Sequence, residues 1–362
     1  MSRALHVRGV VLPDDAIRDV FVVDGRFTFV PPDDAETLVD GGYLLPGLVD
    51  AHAHLSLHSP AGDDAPAAAR VRASAQAQLD AGVLAVREPG SPDRESVAIG
   101  PGTGLPRVLT GGRFLAPAGR YIPGLARETP AEELPAAAAE EVSLSGAWAK
   151  VIADFPGPGG VLTTTYPIEA LTEAAARVHA LGGRITAHAT TPEAIEAVVT
   201  AGFDAVEHAT FLRPDQVSEL VARGTVIVPT LVIRDGILGM LKGAGVPADV
   251  VDGVRRQLDA QPEVVRSAAE RGVPVMAGTD AGMVPHGLIG TEIRLLLAAG
   301  LPAADAIGAG SWRARSWLGL PLIEEGAPAD LIAFDSDPRQ DTELTRPRLV
   351  LLDGRVVAGT AA

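Results

Sequence analysis

From Pro46 to about Leu320 the chain alternates short runs rich in Val, Ile and Ala with longer Ala/Leu/Val segments whose apolar positions recur at helical spacing. That alternation is the pattern of repeated βα units. Eight strands are expected, at Leu48–His54, Val83–Arg87, Arg107–Thr110, Ala149–Ala153, Arg184–His188, Ala205–His208, Val226–Thr230 and Pro274–Thr279. Helical periodicity predicts helices over Ile168–Leu181, Pro192–Ala201, Asp215–Arg223, Glu263–Arg271 and Leu288–Ala299, most of them ending near glycine. The helix from Pro192 has a full set of end signals: Thr191 can cap it, Pro192 suits its first turn and Gly202 its exit. The alanine-rich stretches Ala61–Ala81 and Pro130–Glu141 read as helical rather than disordered.

Eight βα units fit a TIM (β/α)8 barrel, typically about 250 residues, better than an open Rossmann sheet. No Gly-x-Gly-x-x-Gly sits at a strand–helix junction, so nothing points to a dinucleotide. Outside this region the pattern changes. Short apolar runs in Ala4–Leu45 are separated by turn signals at Pro13-Asp14-Asp15 and Asp24-Gly25-Arg26. Residues Ala329–Ala362 likewise hold Leu331–Phe334, Leu349–Leu352 and an Asp353-Gly354 hairpin signal. The two ends are therefore expected to pair into one small β-sandwich, 1–46 with 326–362, beside a barrel at 47–325.

Composition narrows the partners. With 362 residues, 47% of them hydrophobic, the chain can build a large core. A formal net charge of −16 argues against nucleic acid or an anionic membrane and leaves a small molecule as the expected ligand, with a homo-oligomer left open. The N-terminal residues lack the apolar core of a signal peptide and no apolar run reaches spanning length, so a cytoplasmic protein is expected. With no cysteine, a metal has to be held by nitrogen and oxygen ligands.

The candidate chemistry sits at the strand ends. His52 and His54 are two apart at the end of the first strand and so share a face, where one ion can take both. Lys150, His188, His208 and Asp280 end the fourth, fifth, sixth and eighth strands, the barrel edge that carries active sites. Each has a plainer reading, as a buried structural histidine or, for Asp280, a helix cap. Lysine is scarce: of 30 basic residues only Lys150 and Lys242 are lysines. Lys242 lies in a Gly/Ala-rich segment that suits a solvated side chain, whereas Lys150 lies inside Trp148-Ala149-Lys150-Val151-Ile152. Unlike arginine, a lysine amine can be deprotonated and made nucleophilic. After the third strand, Gly111–Tyr121 reads as a long Gly/Pro-rich loop over the barrel mouth. There Arg113 or Arg120 could clamp a substrate carboxylate and Tyr121 could donate to a developing oxyanion, a solvated lid being the other reading. His6, His58 and His179 read as ordinary residues.

So placed, Pro46–Leu55, Trp148-Ala149-Lys150, Thr186–Ala189, Val206–Ala209, Val228–Leu231, Ala277–Gly282, His286-Gly287 and Gly326–Leu331 resemble the metal-dependent amidohydrolase superfamily, in its prolidase-like and imidazolonepropionase-related branch. The resemblance covers nearly the whole chain. It implies a binuclear centre, most often zinc with other divalent metals also fitting, held by His52 and His54 on one ion and His188 and His208 on the other. Lys150, carboxylated by carbon dioxide, would bridge the two. Asp280 would bind the first metal and shuttle the proton as a metal-activated hydroxide cleaves a C–N bond. His286 would lie near the substrate, a surface-loop histidine being the alternative. Two departures stand out. Gly111-Gly112 is followed by Arg113 where prolidase-like relatives usually carry histidine, which puts Xaa-Pro specificity in doubt, and Gly310-Ser311-Trp312 stands where relatives more often have threonine followed by small residues. The competing functions are a mononuclear imidazolonepropionase-like hydrolase or deaminase, which would leave Lys150 without a role, and a non-catalytic metal-binding scaffold.

Overall fold

The computed structural model describes residues 4–157, 160–340, 344 and 347–359. In chain order the strands are β1 (Ala4–Val11), β2 (Ala16–Val23), β3 (Arg26–Thr28), β4 (Ala35–Pro46), β5 (Leu48–Asp50), β6 (Val83–Glu88), β7 (Arg107–Thr110), β8 (Phe114–Ala116) and β9 (Ala126–Glu128). They continue as β10 (Trp148–Ile152), β11 (Asp154–Pro156), β12 (Leu162–Thr164), β13 (Arg184–Ala189), β14 (Ala205–His208), β15 (Val226–Val228), β16 (Leu331–Phe334), β17 (Leu349–Leu352) and β18 (Arg355–Gly359).

The middle of the chain has a TIM-barrel-like α/β fold built as two parallel arcs. One is β5-β6-β7 and the other β15-β14-β13-β10-β8-β9, and neither is itself a closed sheet. Single contacts join them: Ser91 bridges Arg113 on one side, while Ala53 bridges Ala281 and Ile227 bridges Val275 on the other. The eighth expected strand, Pro274–Thr279, is not a regular ladder. It is an extended segment bonded to both neighbours, Met276 N–H to Ile227 O at 3.0 Å and Ala51 N–H to Ala277 O at 2.9 Å. Gly278 explains the tight fit, because a Cβ there would stand 2.7 Å from the His52 Cβ.

The Gly111–Tyr121 segment departs from the sequence expectation of a loop. Its residues Phe114–Ala116 form β8 and pair with β10, Phe114 opposite Lys150. Glycine and proline on both sides hide this three-residue strand, yet Gly111 is what allows it, since a Cβ there would fall 1.8 Å from Pro89 O. Another difference lies at Glu263–Arg271, which is the end of a 23-residue helix, Ala248–Glu270, that runs through Pro262. A proline removes one internal hydrogen bond and reads as a breaker, but packing of Val251, Leu258 and Val265 in the core carries the helix across it. The other helices form within a few residues of expectation, including Pro192–Thr200, where Thr191 Oγ1 accepts from Ala194 N–H.

Strands from both ends of the chain share one seven-stranded sheet, ordered β18-β17-β16-β4-β1-β2-β3, rather than two separate ones. Its apolar core (Val7, Val20, Phe27, Leu44, Leu331, Leu349) is distinct from the barrel core. Asp330 couples the sheet to the barrel. Its buried carboxylate accepts from Arg107 at 2.8 Å, Arg315 at 3.1 Å and the Asp353 N–H at 3.1 Å, and its carbonyl accepts from Gly47 N–H at 3.3 Å. Ser311, in the unusual Gly310-Ser311-Trp312 run, donates to Pro46 O at 2.7 Å and ties the last barrel helix to the same junction. Among the described residues no helix is long and apolar enough to cross a membrane.

Removing one member of a buried charge network leaves the others uncompensated, at a cost of about 3–5 kcal/mol. Asp330→Ala should therefore lose stability of that order in chemical denaturation, and a loss below about 1 kcal/mol would show that the sheet docks on apolar contacts alone.

Candidate active site

His52, His54, Lys150, His188, His208 and Asp280 converge on one cavity of about 260 Å³ at the C-terminal ends of the barrel strands. Three donors face one another there: His52 Nε2 and His54 Nε2 are 3.1 Å apart, and Asp280 Oδ1 is 3.3 Å from the first and 3.1 Å from the second. The opposite ring nitrogens fix the tautomers. His54 Nδ1 donates to Gly90 O at 2.6 Å, and His52 Nδ1, 2.7 Å from Glu207 Oε2, has to carry its proton. Burial pushes the His54 imidazolium down, so the ring is neutral. Two imidazole nitrogens and a carboxylate oxygen at this spacing need a proton or a metal cation between them. Ligand bonds of about 2.0–2.1 Å at tetrahedral angles would set such atoms about 3.3 Å apart, so the residues present fit a metal ion.

A second group adjoins the first. His208 offers a ring nitrogen that lies within 4.8 Å of a His52 ring nitrogen and an Asp280 carboxylate oxygen, while its Nδ1 is hydrogen-bonded to Thr230 Oγ1 at 2.8 Å. The His188 ring stands 4.7 Å from that of His208, centre to centre. Between the two groups, Lys150 is buried and forms no side-chain hydrogen bond or ion pair among the described residues. Burial pushes its ammonium down to about 8, against the attraction of Glu207 and Asp280.

Backbone strain concentrates here. His208 (φ 69°), Ala209 (φ 47°), Thr230 (φ 50°) and Asp280 (φ 54°) are left-handed without being glycine, and a β-branched residue such as Thr230 rarely adopts that conformation. Each strand ends by turning its last side chain towards the mouth. Buried hydrogen bonds hold the turns. Glu292 accepts from Leu231 and Val232 N–H at 2.9 and 2.8 Å just past Thr230, and burial pushes its carboxyl up to about 8.

Three positioning groups went unread in the sequence. Asp50 accepts from His52 N–H at 3.1 Å, Thr279 N–H at 3.0 Å, Thr279 Oγ1 at 2.6 Å and Gln78 at 3.0 Å, joining the first and eighth barrel positions behind the ligands. It continues the Asp50-His52-His54 alternation, a signal that was present. Both Glu207 carboxylate oxygens accept from Arg87 Nη2, at 2.7 and 2.9 Å, and Glu207 also accepts a bond from Thr186. Burial opposes its charge, and Arg87, Lys150 and His52 hold it well below the usual range. Strand alternation would set Glu207 and His208 on opposite faces, and the left-handed turn at His208 brings both to the site. Asp154 accepts from Thr190 and Thr191 N–H at 2.8 and 2.5 Å, beside the His188 ring.

The remaining candidates divide. Tyr121 lines the cavity, with burial raising its phenol so that it stays protonated, and no hydrogen bond engages its hydroxyl among the described residues. Arg113, Arg120 and His286 do not line it. The Arg120 guanidinium instead grips the β11–β12 hairpin through Phe155 O at 2.8 Å and Thr163 O at 2.9 Å. His286 Nε2 bonds to Leu57 O at 3.3 Å, and Arg113 N–H is held by Glu141 at 3.0 Å. Among the described residues, then, no arginine lines the cavity that holds the histidines.

The Amidohydrolase family profile matches residues 43–357, and the chain belongs to that family, in the prolidase-like branch of the metal-dependent amidohydrolases. An uncharacterized protein of Mycobacterium tuberculosis is 39% identical over 360 residues, which span 98% of this chain and 96% of the relative. Among solved structures, a putative prolidase from Bifidobacterium longum is 26% identical with a TM-score of 0.82, covering 98% of this chain and 94% of that one. A Xaa-Pro dipeptidase with bound methionine, 22% identical with a TM-score of 0.82 over 99% of this chain and 100% of the other, shares the fold. The protein is thus an enzyme, a hydrolase acting on carbon–nitrogen bonds.

Replacing a carboxylate that orients a metal-ligating histidine commonly weakens metal binding by about ten- to a hundredfold. Glu207→Gln should do so in a chelator-competition titration with zinc, while unchanged affinity would show that Glu207 only balances Arg87.

Proposed function

We propose that the enzyme hydrolyses an amide-type C–N bond of a small molecule at a binuclear zinc centre. His52, His54 and Asp280 would hold one ion, His188 and His208 the other, and carboxylated Lys150 would bridge them. The observation that carries this reading is the convergence of His52 Nε2, His54 Nε2 and Asp280 Oδ1 within 3.1–3.3 Å of one another. Bound metal would lower the pKa of water towards neutrality and polarise the scissile carbonyl.

The residues of the chain do the rest. Lys150, buried and unpaired with its ammonium pushed down to about 8, has an accessible neutral amine, the form that can attack carbon dioxide. Carboxylation would replace an uncompensated buried cation by an anion with two oxygens, which suits a site of cations. Water oxygen bonds to the acyl carbon, the C–N bond breaks, and Asp280 takes the proton from water and delivers it to the leaving nitrogen. Tyr121 donates its free hydroxyl to the negative charge that develops on the carbonyl oxygen.

Two variants test the roles. Lys150→Ala should lose most bound metal and activity, with bicarbonate and a short-chain carboxylic acid restoring part of both; full metal content in this variant would contradict the bridge. Asp280→Asn keeps an oxygen for coordination and loses the proton acceptor, so turnover should fall about a hundred- to ten-thousandfold while much of the metal stays, as followed by elemental analysis beside initial rates. Near-normal turnover with both metals bound would assign the proton to another group. Two ions per chain favour this reading, and one ion per chain favours a mononuclear hydrolase.

A further inference from the structure

The metal-binding end of the cavity is polar and the other end is not. Ile122, Phe155 and Leu162 form one wall, and Ile233, Ile237 and Leu258 the other. Met240 and Met283 line the same cavity while 51% and 37% exposed, so the entrance is apolar as well. Among the described residues, Lys150 and Asp280 are the only lysine, arginine or acidic side chains on the cavity surface, and both belong to the metal-binding set. Gln261 is spent on backbone, its Nε2 donating to His208 O and Pro229 O at 2.8 and 2.9 Å. The nearest loop arginine, Arg120, is committed to the hairpin carbonyls.

Resting on the hydrolase reading above, we propose that the substrate is an uncharged apolar amide or carbamate, and not a peptide or N-acyl amino acid with a free carboxylate. The scissile carbonyl belongs at the metal-binding end, so the groups on its far side must lie against the apolar wall. A carboxylate placed there would lose its hydration and find no counter-charge, a cost of several kcal/mol. An aryl or alkyl group gains from the same wall. The volume, about 260 Å³, is just below the usual lower end of about 300 Å³ for small-molecule sites and suits a single ring or short chain. Hydrolysis of the C–N bond turns this neutral molecule into an acid, ionised near neutral pH, and an amine, ionised as well when it is an alkylamine. The wall that draws in the substrate therefore disfavours the products and helps them leave.

Matched pairs that differ by one carboxylate test the proposal: N-hexanoylpyrrolidine against N-hexanoylproline, and hexananilide against 4-hexanamidobenzoate. With the zinc-loaded protein, binding by calorimetry and kcat/KM should both favour the neutral member by about a hundredfold or more. Met240→Arg, at the half-exposed entrance, should shift that ratio towards the acid by at least about tenfold. Equal or tighter binding of the acids, failure of both neutral compounds to bind, or an unchanged ratio in Met240→Arg would overturn the proposal. Preferential binding of the neutral members without any hydrolysis would support the cavity assignment and count against C–N hydrolysis instead.

Discussion

Arg87 and Glu207 meet inside the barrel, across 120 residues of sequence, where both side chains are 0% exposed. Taking two charges out of water costs several kcal/mol each, and that cost is offset only when geometry and further bonds are good. Here Arg87 Nη2 reaches both carboxylate oxygens, Arg87 Nε also donates to Ala51 O at 2.7 Å, and the guanidinium lies 4.8 Å from the Trp148 ring centre and 5.1 Å from that of Trp317. Its consequence is local. Glu207 stays ionised, holds the proton on His52 Nδ1 and so turns the His52 Nε2 lone pair towards His54 and Asp280. Without the arginine, a buried carboxyl would be driven neutral and the tautomer of His52 would no longer be fixed.

That constraint explains how the rest is arranged. The converging side chains come from strand ends far apart in sequence, so their mutual positions depend on buried groups linking those strands beneath them. Asp50 does this for the first and eighth positions, Glu207 for the first, second and sixth, and Asp154 for the segments after the fourth and fifth strands. Left-handed turns at His208, Thr230 and Asp280 point the last side chains at the mouth. Such strain persists only where the surroundings over-determine it, and here those surroundings are hydrogen-bonded carboxylates rather than apolar packing. Above this layer the chain changes character. The β11–β12 hairpin and the segment around Ile233–Met240 supply apolar side chains, so the chemistry is set below and selectivity above.

Much of this was legible in the sequence because it obeys local rules. The period-two spacing of His52 and His54, the scarcity of lysine around Lys150, and the strand-end placement of His188, His208 and Asp280 each follow from alternation or composition. Elements held by tertiary contacts were not. Phe114–Ala116 is three residues between glycine and proline, and only its pairing with β10 makes it a strand. Pro274–Thr279 is extended as expected, but single bonds to Ala51 and Ile227, not a ladder, hold it. Arg113, Arg120 and His286 carried suitable chemistry in suitable loops, yet sequence does not say which way a long side chain points, and none of the three lines the cavity. Glu207 failed for the opposite reason: alternation placed it opposite His208, and one left-handed residue overrode that rule.

The account rests on metal ions held between the converging side chains, and a crystal structure with anomalous data at the zinc edge tests this most directly. It predicts two peaks about 3.5–4 Å apart. One should lie among His52 Nε2, His54 Nε2 and Asp280 and the other beside His188 and His208, with added density on Lys150 Nζ between them. A single peak, or an unmodified Lys150 turned away from the metal, would contradict it.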